Sequence, residues 1–368
     1  RVISRILKYF PEPDRFHFEV YASRAWHPDF AEILRMPNVQ WIQGEGWSAR
    51  RAGLWFNATL PLNLRRHRYD VFWGSQQVIP PGLNRHVPVV LTYYDLVLYF
   101  FPEAMRPLAR WQQRAVQAMS VRRADRILSI SKQTNDDMIA HFDYPAEQAR
   151  PALLGYEPGP AFSRSERTGY TKQMQARLGF VPDNNFLLAV STIEPRKNYG
   201  VLIEAYADAW RSRSAEQTTE FPALVIVGRR GWESAEFYEK LERTIQSGVP
   251  VHVLDDLDDR QVEFLYDQCG FFCMPSVYEG FGLPLLEALC HGKFALAADI
   301  PCFHEIGGQH ARYIAPADTV GWSTAILESI QLLNQKKKLV EKFPVQQWTW
   351  AHTARIHRDA FLSVLHED

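Results

Sequence analysis

The sequence predicts an α/β protein with two domains, each built on a doubly wound parallel sheet. Its 368 residues exceed what one hydrophobic core usually fills. Short apolar runs of strand length alternate with longer segments of helical periodicity, which is typical of βαβ units with parallel strands. The composition, 46% hydrophobic and 23% charged, is that of an ordinary globular protein.

The first domain is expected to cover residues 1–158 and to begin inside a helix. Apolar residues from Val2 to Phe10 have helical spacing, and FHFEVYA (16–22) then has the pattern of a strand. A domain of this class normally starts with a strand and a Gly-rich turn, so we expect that its first strand lies upstream of Arg1. Further strands are predicted at 69–74, 88–95 and 126–131, with an Arg-rich helix at about 104–123 and a helix capped by Ser131 that runs to His141.

The second domain, 159–345, follows a segment at 155–185 that loses periodicity and is predicted to be a linker with a short helix. Strands are predicted at 186–192, 223–228, 251–259 (with a turn), 270–276 and 293–299, and helices at 199–210, at 234–247, up to residue 268 and through residue 291. Ligands of such sheets bind beyond the carboxyl ends of the strands. The loops after these strands are therefore candidate sites.

The charge distribution argues against a nucleic-acid partner, because the net charge is only −1. Residues 1–158 contain 20 basic and 15 acidic residues, a net charge of +5, and the remainder contains 21 and 27, a net charge of −6. The basic part either faces an anionic surface or substrate, or reflects scatter along the chain.

The cysteines indicate neither a zinc motif nor a disulfide framework. Cys269, Cys273, Cys290 and Cys302 all lie in the second half, with spacings that fit neither. We expect reduced thiols and no metal site. The sequence also has no apolar run long enough to span a bilayer and no signal peptide, so a cytoplasmic location is expected.

The stretch EPRKN (194–198) follows the first strand of the second domain and carries two cations. Arg196 and Lys197 precede a helix, for which Asn198 is the predicted N-cap. A helix N-terminus favours anions, and an Arg fork with a Lys point charge suits a diphosphate. Alternatively, the two residues are a solvated pair of loop charges.

The stretch EGFGLPLLE (279–287) repeats this arrangement after another strand. Gly280 and Gly282 allow the backbone to approach a ligand closely, and Pro284 suits a first helical turn. The amides of Phe281, Gly282 and Leu283 would then point at an anion.

Two acids flank this stretch. Glu279 lies in the loop and Glu287 one turn into the helix, so both can accept hydroxyl groups on either side of a diphosphate. Alternatively, they are a turn acid and an acid near a helix N-terminus.

Three motifs in this order and spacing, STIEPRKN, VGRRGW and PSVYEGFGLPLLEAL, resemble glycosyltransferase family 4. The resemblance covers most of residues 69–368 and is strongest from 186 to 310. It implies the GT-B fold, in which two Rossmann-like domains face a cleft. It also implies that a C-terminal helix, about 346–365 within the segment 346–368, crosses back to the first domain.

The resemblance also assigns roles to the motif residues. Glu279 would contact hydroxyls of the donor sugar, Glu287 would contact the ribose, and Arg196 with Lys197 would stabilise the diphosphate. The implied reaction moves a hexose from a UDP- or GDP-sugar to a glycan or lipid-linked saccharide. It retains the anomeric configuration, forms an α-linkage, and needs no cofactor or metal. Cell-surface polysaccharide assembly is the expected setting.

Four further residues correspond to family positions. Gly228 would let the donor approach, and the turn around Leu254 resembles the base-binding segment. Many members have His-Asp at the strand end where this chain has Tyr94 and Asp95. Tyr can form hydrogen bonds but does not titrate near neutral pH, so a His-dependent contact is in doubt. Asp95 either orients the acceptor or is a structural acid at a strand end.

Several alternatives remain open. The run DDLDD (255–259) is either a metal site or, as we prefer, a helix-start turn. A sugar phosphorylase of the same fold and a non-catalytic nucleotide-sugar sensor are the rival functions. An anionic membrane is a candidate partner for the Arg-rich helix near Trp111, the alternative being an ordinary exposed face; its basic residues are Arg106, Arg110, Arg114, Arg122, Arg123 and Arg126.

Overall fold

A computed structural model describes residues 2–65, 68–102, 107–213, 221–232, 234–335 and 342–365. The chain forms two compact units, Arg1–Gly155 with Gln346–Asp368, and Tyr156–Val345. All strand pairs in these described ranges are parallel, which confirms the predicted α/β class. No helix in the described residues has the length and apolar character needed to cross a bilayer.

The strands of the first unit form two parallel sheets. The first pairs β1 (Phe18–Ala22) with β2 (Val39–Gln43); the second has the order β3 (Phe72–Gly74), β4 (Val89–Tyr93), β5 (Arg126–Ser129) and β6 (Ala149–Pro151). The helices are α1 (Val2–Lys8), α2 (Gly46–Ala49), α3 (Ala52–Leu54), α4 (Leu60–Leu64), α5 (Val97–Phe100), α6 (Pro107–Arg123) and α7 (Lys132–Phe142). β4 is buried throughout and forms the centre of this unit's core.

The predicted cap of α7 is confirmed. The Ser131 hydroxyl accepts a hydrogen bond from the Thr134 amide at 2.9 Å, which satisfies a backbone donor that the helix itself leaves unpaired. The strands β2 and β6 were not predicted. β6 is short and ends in Pro151, and proline is a weak strand signal.

The second unit contains one sheet of six parallel strands. These are β7 (Phe186–Val190), β8 (Ala223–Val227), β9 (Val251–Leu254), β10 (Phe271–Met274), β11 (Phe294–Ala298) and β12 (Ala311–Ile314), in the order β12-β11-β10-β7-β8-β9. The helices are α8 (Arg164–Leu178), α9 (Tyr199–Arg211), α10 (Ala235–Gln246), α11 (Asp259–Gln268), α12 (Leu283–Cys290), α13 (Pro301–Gly307) and α14 (Thr319–Asn334).

The first five of these strands lie where the sequence predicted them, whereas β12 was missed. The helix predicted to be short in the segment 155–185 is α8, which has 15 residues. A capping box begins it, because the Ser163 side chain accepts from the Glu166 amide and the Glu166 side chain accepts from the Ser163 amide.

The strand order of the second unit contains a topological switch. From β7 the chain proceeds outward through β8 to β9, and it then returns to begin β10 on the other side of β7. The connections that follow β7 and β10 therefore run over opposite faces of the sheet, while the loops that begin them lie side by side. In doubly wound sheets a ligand crevice forms at this point.

The C-terminal helix α15 (Trp350–Ser363) belongs to the first unit. Its Thr353 hydroxyl donates to the Leu153 carbonyl at 2.5 Å, and Phe361 stacks on Phe10 with ring centroids 5.7 Å apart. A Cβ at Gly155 would lie 2.3 Å from the Trp350 amide nitrogen, so only glycine allows this close approach.

A buried chain of hydrogen bonds fixes the position of α15. Trp73 Nε1 donates to the Thr92 hydroxyl at 2.8 Å, and Thr92 lies 3.2 Å from His357 Nε2. His357 Nδ1 is 2.9 Å from the Thr353 carbonyl and must be the protonated nitrogen, because a carbonyl only accepts. Nε2 is then the acceptor, and the neutral imidazole satisfies every partner.

Burial lowers the pKa of His357 from 6.5 to about 4, with a further contribution from Arg150. The folded pKa lies below the unfolded one, so the neutral imidazole contributes stability above pH 6.5 that is lost as the pH falls toward 4. Between pH 7 and pH 4.5 we expect the unfolding free energy of the parent to fall by about 2 kcal/mol more than that of the His357→Gln variant. Urea unfolding at the two pH values measures this difference.

The control for this prediction is His352→Gln, which alters an exposed histidine on the same helix. It should leave the pH dependence of the parent unchanged. Equal pH dependence in the His357→Gln variant and the parent would contradict the prediction.

Candidate active site

The loops after β7 and β10 meet at the switch point of the second unit. The Val277 amide donates to the Arg196 carbonyl at 2.9 Å. The Asn198 side-chain amide donates to the carbonyls of Pro275 at 3.1 Å and Pro316 at 2.7 Å. These bonds fasten the loop that carries the two cations to the loop that carries Glu279.

Asn198 occupies the N-cap position of α9 as predicted, but its side chain does not form the capping bond expected of that position. Its backbone is left-handed, with φ 58° and ψ 29°. Asn tolerates this conformation better than most residues. The residue joins three loops instead of closing one helix end.

Glu279 is the centre of a buried cluster of charges. Its carboxylate pairs with Lys197 Nζ through Oε1 and with Arg196 Nη1 through Oε2 at 2.9 Å. The Ser276 hydroxyl donates to Oε1 at 2.9 Å. Glu279 and Lys197 are each only 7% exposed. The alternative that Arg196 and Lys197 are solvated loop charges is therefore wrong.

The pKa of Glu279 lies below its usual value despite its burial. Burial is the largest single effect and opposes ionisation, but the charges of Lys197 and Arg196, with hydrogen bonds from Lys197 and Ser276, outweigh it. The residue is therefore a carboxylate at neutral pH. Its oxygens are acceptors and are aligned by three donors.

Arg196 connects this carboxylate to a second one. Its Nε pairs with Glu194 Oε1 at 2.6 Å, and Nη1 also donates to the Tyr278 carbonyl at 3.2 Å. Two cations and two carboxylates thus balance in charge. The roles of Glu194 and Ser276 were missed from sequence, although both lie inside the motifs that were singled out.

The glycine-containing stretch leads directly into α12. Gly282 has φ +114°, and a Cβ there would lie 2.7 Å from the Phe303 ring, so both conformation and space require glycine. Pro284 lies in the first helical turn as predicted. Phe281 is buried, so any contact of this residue with an anion would involve its backbone. Leu283 is the first residue of α12.

Glu287 lies on α12, half-buried and separate from the Glu279 cluster. Burial is the main cause of the raised pKa of Tyr266, and the charge of Glu287 raises it further. Burial is also the main cause of the raised pKa of Tyr156, followed by Cys290 and Glu263, with Glu287 the smallest contributor. Glu287 therefore lies close to the buried phenol of Tyr266 and the half-buried phenol of Tyr156.

Gly228 and Leu254 are joined by the sheet. A Cβ at Gly228 would lie 1.8 Å from the Ser191 carbonyl oxygen, so the close approach of the loop after β7 requires glycine here. The Gly228 amide donates to the Leu254 carbonyl at 2.9 Å. The Leu254 side chain is buried, and residues 255–256, which follow it, are exposed.

Tyr94 and Asp95 follow β4 in the first unit. The Tyr94 hydroxyl donates to the Ser75 carbonyl at 3.0 Å, and burial raises the pKa of this phenol. Asp95 Oδ1 accepts from the Val97 amide at 3.1 Å, which is the local bond of a structural strand-end acid.

The acidic run after β9 is a helix start, as preferred from sequence. Asp258 is the N-cap of α11 and forms a capping box with Gln261. Asp256 pairs with Arg177, which lowers the pKa of Asp256. Within the described residues, no cluster of three or more His, Cys, Asp or Glu side chains could hold a metal ion, and the four cysteines are free thiols.

Two family models match this chain in succession. The model for "Glycosyltransferase Family 4" matches residues 1–151, and that for "Glycosyl transferases group 1" matches residues 171–343. The chain belongs to glycosyltransferase family 4. Together the two matches span both units and include every motif residue of the second unit.

Three relatives of this chain, at 22–30% identity, are named as mannosyltransferases. "O-antigen chain mannosyltransferase B" of Escherichia coli is 28% identical over 269 residues, covering 73% of this chain and 67% of that protein. "O-antigen chain mannosyltransferase RfbU" of Salmonella typhimurium is 22% identical, covering 83% of this chain and 80% of that protein. "Serotype-specific mannosyltransferase WbdA" of Escherichia coli is 30% identical over 304 residues, and the match spans only 36% of its length.

Solved structures confirm the GT-B fold. HepE of Anabaena in complex with UDP and glucose has a TM-score of 0.67 at 18% identity, covering 98% of this chain and 95% of HepE. WaaG, described as a glycosyltransferase involved in lipopolysaccharide biosynthesis, has a TM-score of 0.62 at 20% identity, with 98% and 91% coverage.

The buried ion pairs predict a marked effect of removing one cation. We expect Lys197→Met to lower the unfolding free energy of the second unit by roughly 3 kcal/mol, because the Glu279 carboxylate remains buried with less compensation. Combining Lys197→Met with Glu279→Gln should recover most of this loss, since the unpaired charge is then gone. Urea unfolding of Lys197→Met, Glu279→Gln and the double variant measures the coupling.

A matched control is Arg312→Met, which breaks the exposed ion pair with Glu328. That change should cost under about 1 kcal/mol. The buried-cluster interpretation fails if Lys197→Met costs no more than Arg312→Met.

Proposed function

We propose that this chain is a retaining glycosyltransferase that transfers a hexose from a UDP- or GDP-sugar to a glycan or lipid-linked saccharide. The observation that carries the proposal is the buried cluster of Glu279, Arg196 and Lys197 at the switch point of the second unit. It combines an aligned carboxylate acceptor with two cations. A nucleotide-diphosphate sugar presents hydroxyl donors and anionic oxygens to match them.

The relatives support the class of acceptor and sugar. Two of them are named as O-antigen chain mannosyltransferases, which favours mannose as the hexose and cell-surface polysaccharide assembly as the setting. The structural neighbour HepE was solved with UDP and glucose, which supports a uridine donor. Guanosine donors are retained as the alternative.

The proposed mechanism uses the cations on the leaving group. Arg196 and Lys197 stabilise the departing diphosphate, assisted by the amides at the start of α12. Glu279 accepts hydroxyls of the transferred sugar, and Glu287 accepts those of the ribose. The bond between the anomeric carbon and the phosphate oxygen breaks while the acceptor oxygen bonds to that carbon on the same face. The leaving diphosphate takes the acceptor proton, and an α-linkage results.

The roles of the other residues follow from their positions. Gly228 and the turn after Leu254 would face the nucleoside, with contacts through the backbone. Asp95 would orient the acceptor, and Tyr94 would provide a hydrogen-bonding group that does not titrate in place of the family histidine. We propose a metal-independent reaction with no cofactor, in which Arg196, Lys197 and the amides at the start of α12 face the diphosphate. The proposed location is the cytoplasm, at the face of an anionic membrane when the acceptor is lipid-linked.

Donor binding is tested by thermal unfolding against UDP, GDP, ADP and their sugars in the presence of EDTA. A ligand that binds only the folded state raises the melting temperature, and saturating donor should raise it by several degrees, about 5 °C. We expect a shift with one uridine or guanosine series and its loss in Glu287→Ala. The nucleotide that produces the shift identifies the base.

The control variant is Glu242→Ala, which removes an exposed carboxylate of α10 and should keep the full shift. No shift with any nucleotide sugar would contradict the proposal. A shift that needs a divalent cation would contradict metal independence, and a shift without turnover on any saccharide acceptor would favour the sensor.

A further inference from the structure

The helical segment between β2 and β3, residues 46–65, combines exposed cations with exposed apolar side chains. From residue 46 to residue 69 the sequence contains no Asp or Glu, but it contains five Arg, at positions 50, 51, 65, 66 and 68. Trp47 is 71% exposed, Leu62 57% and Leu54 36%. This composition is typical of a segment that partitions into the interface of an anionic membrane.

The exposed apolar residues are not needed for the core. The segment is held to the first unit by a separate inner face, which is a buried cluster of Ala49, Trp55, Leu60 and Leu64. Tyr21 and Phe72 pack against that cluster. Trp47, Leu54 and Leu62 are not part of that cluster and are exposed to solvent. Large apolar side chains exposed within one short segment mark an interaction surface.

A π turn keeps two of these residues on one side. Leu54 and Leu62 are eight residues apart, whereas two turns of a regular α-helix take about seven. The π turn Trp55–Thr59 lies between them and holds one additional residue, because its hydrogen bonds close i→i+5. The eight-residue spacing between Leu54 and Leu62 therefore equals one α turn plus one π turn, which places both residues on the same side of the helical segment.

The arginines at both ends of the segment are available to anions. Arg50, Arg51 and Arg65 are exposed, and none forms an ion pair with another described residue. Long basic side chains at the edge of an apolar surface reach lipid phosphates while their alkyl stems remain in the interface.

The Arg-rich helix α6, suggested from sequence as the membrane face, differs in this respect. Most of the arginines in this region are used inside the first unit. On α6, Arg110 donates to the Pro102 carbonyl at 2.7 Å, Arg114 to the Leu98 carbonyl at 2.9 Å and Arg123 to the Val87 carbonyl. Arg126, the first residue of β5, donates to the Asp125 carbonyl at 2.8 Å. Arg122 is exposed, and Arg106 lies outside the described residues. These bonds make α6 a structural helix with one exposed tryptophan, Trp111.

We propose that the 46–65 segment docks this protein onto an anionic lipid bilayer, with Trp47, Leu54 and Leu62 in the interface and the arginines on lipid phosphates. The proposal deepens the proposed function, because it names the surface at which a lipid-linked acceptor would be met. Binding to the bilayer requires neither donor nor transfer. It can therefore be tested independently of the reaction.

The test is cosedimentation of the full chain with two kinds of vesicle, phosphatidylglycerol with phosphatidylcholine in equal parts, and phosphatidylcholine alone. We expect binding to the anionic vesicles only, weakening as salt is added. Replacing Trp47, Leu54 and Leu62 by Ser should lower the partition coefficient about tenfold or more. Replacing Arg50, Arg51 and Arg65 by Gln should lower it by roughly 100-fold.

The matched control is Trp111→Ser combined with Met119→Ser on α6, since Trp111 is 70% exposed. The control should bind like the parent, and all variants should keep its melting temperature because the changed side chains are exposed. The proposal is overturned if the control loses binding as strongly, if both vesicles bind equally, or if neither binds.

Two results separate this inference from the proposed function. Failure to bind vesicles with an intact donor-dependent melting shift overturns the docking surface alone. If the segment variants bind vesicles normally but lose transfer to a soluble saccharide, the surface is an acceptor site, and the docking proposal is again overturned.

Discussion

The geometry of the second unit's site depends on one interaction, the pairing of the Glu279 carboxylate with Lys197 and Arg196. Lys197 and Glu279 lie in two different loops, 82 positions apart along the chain, and their charged groups meet in the protein interior. A buried charge of either sign is costly without its partner. The three residues therefore hold the loops after β7 and β10 in one arrangement, and the bonds of Asn198 reinforce it.

The local charge balance has a consequence for any anionic ligand. The cluster of Glu194, Glu279, Arg196 and Lys197 is already neutral, so a diphosphate would add uncompensated negative charge. The positive end of α12 offers part of the compensation. Sugar hydroxyls would provide the rest by donating hydrogen bonds to the Glu279 oxygens. Lys197 and Arg196 would then pair less strongly with Glu279 and could bind the phosphate oxygens. A donor that supplies both groups would thus be favoured over a free nucleotide.

Sequence reasoning located the strands that are buried on both faces and the loops that follow them. β8 and β10 are continuous apolar runs and β4 is interrupted only by Thr92, so the sequence identifies all three as buried strands. β6 and β12 are short and partly exposed, and their weak patterns did not distinguish them from loops. The pairing of Glu279 with Lys197 could not be predicted from the sequence either, because it depends on β7 and β10 being neighbours in the sheet. The same holds for Asn198, whose capping role was inferred from residue type alone, whereas tertiary contacts decided its conformation.

In the proposed function, the two units would recognise their ligands by different physical means. In the second unit, short loops are joined by buried bonds, so a change at Glu279 or Ser276 would alter stability and donor binding together. In the first unit, the 46–65 segment has an inner face that supplies packing and an outer face that does not. Substitutions on the outer face therefore change the surface at little cost in folding free energy. The proposed donor site is thus constrained by the fold, whereas the proposed docking surface can vary in sequence without altering the packing beneath it.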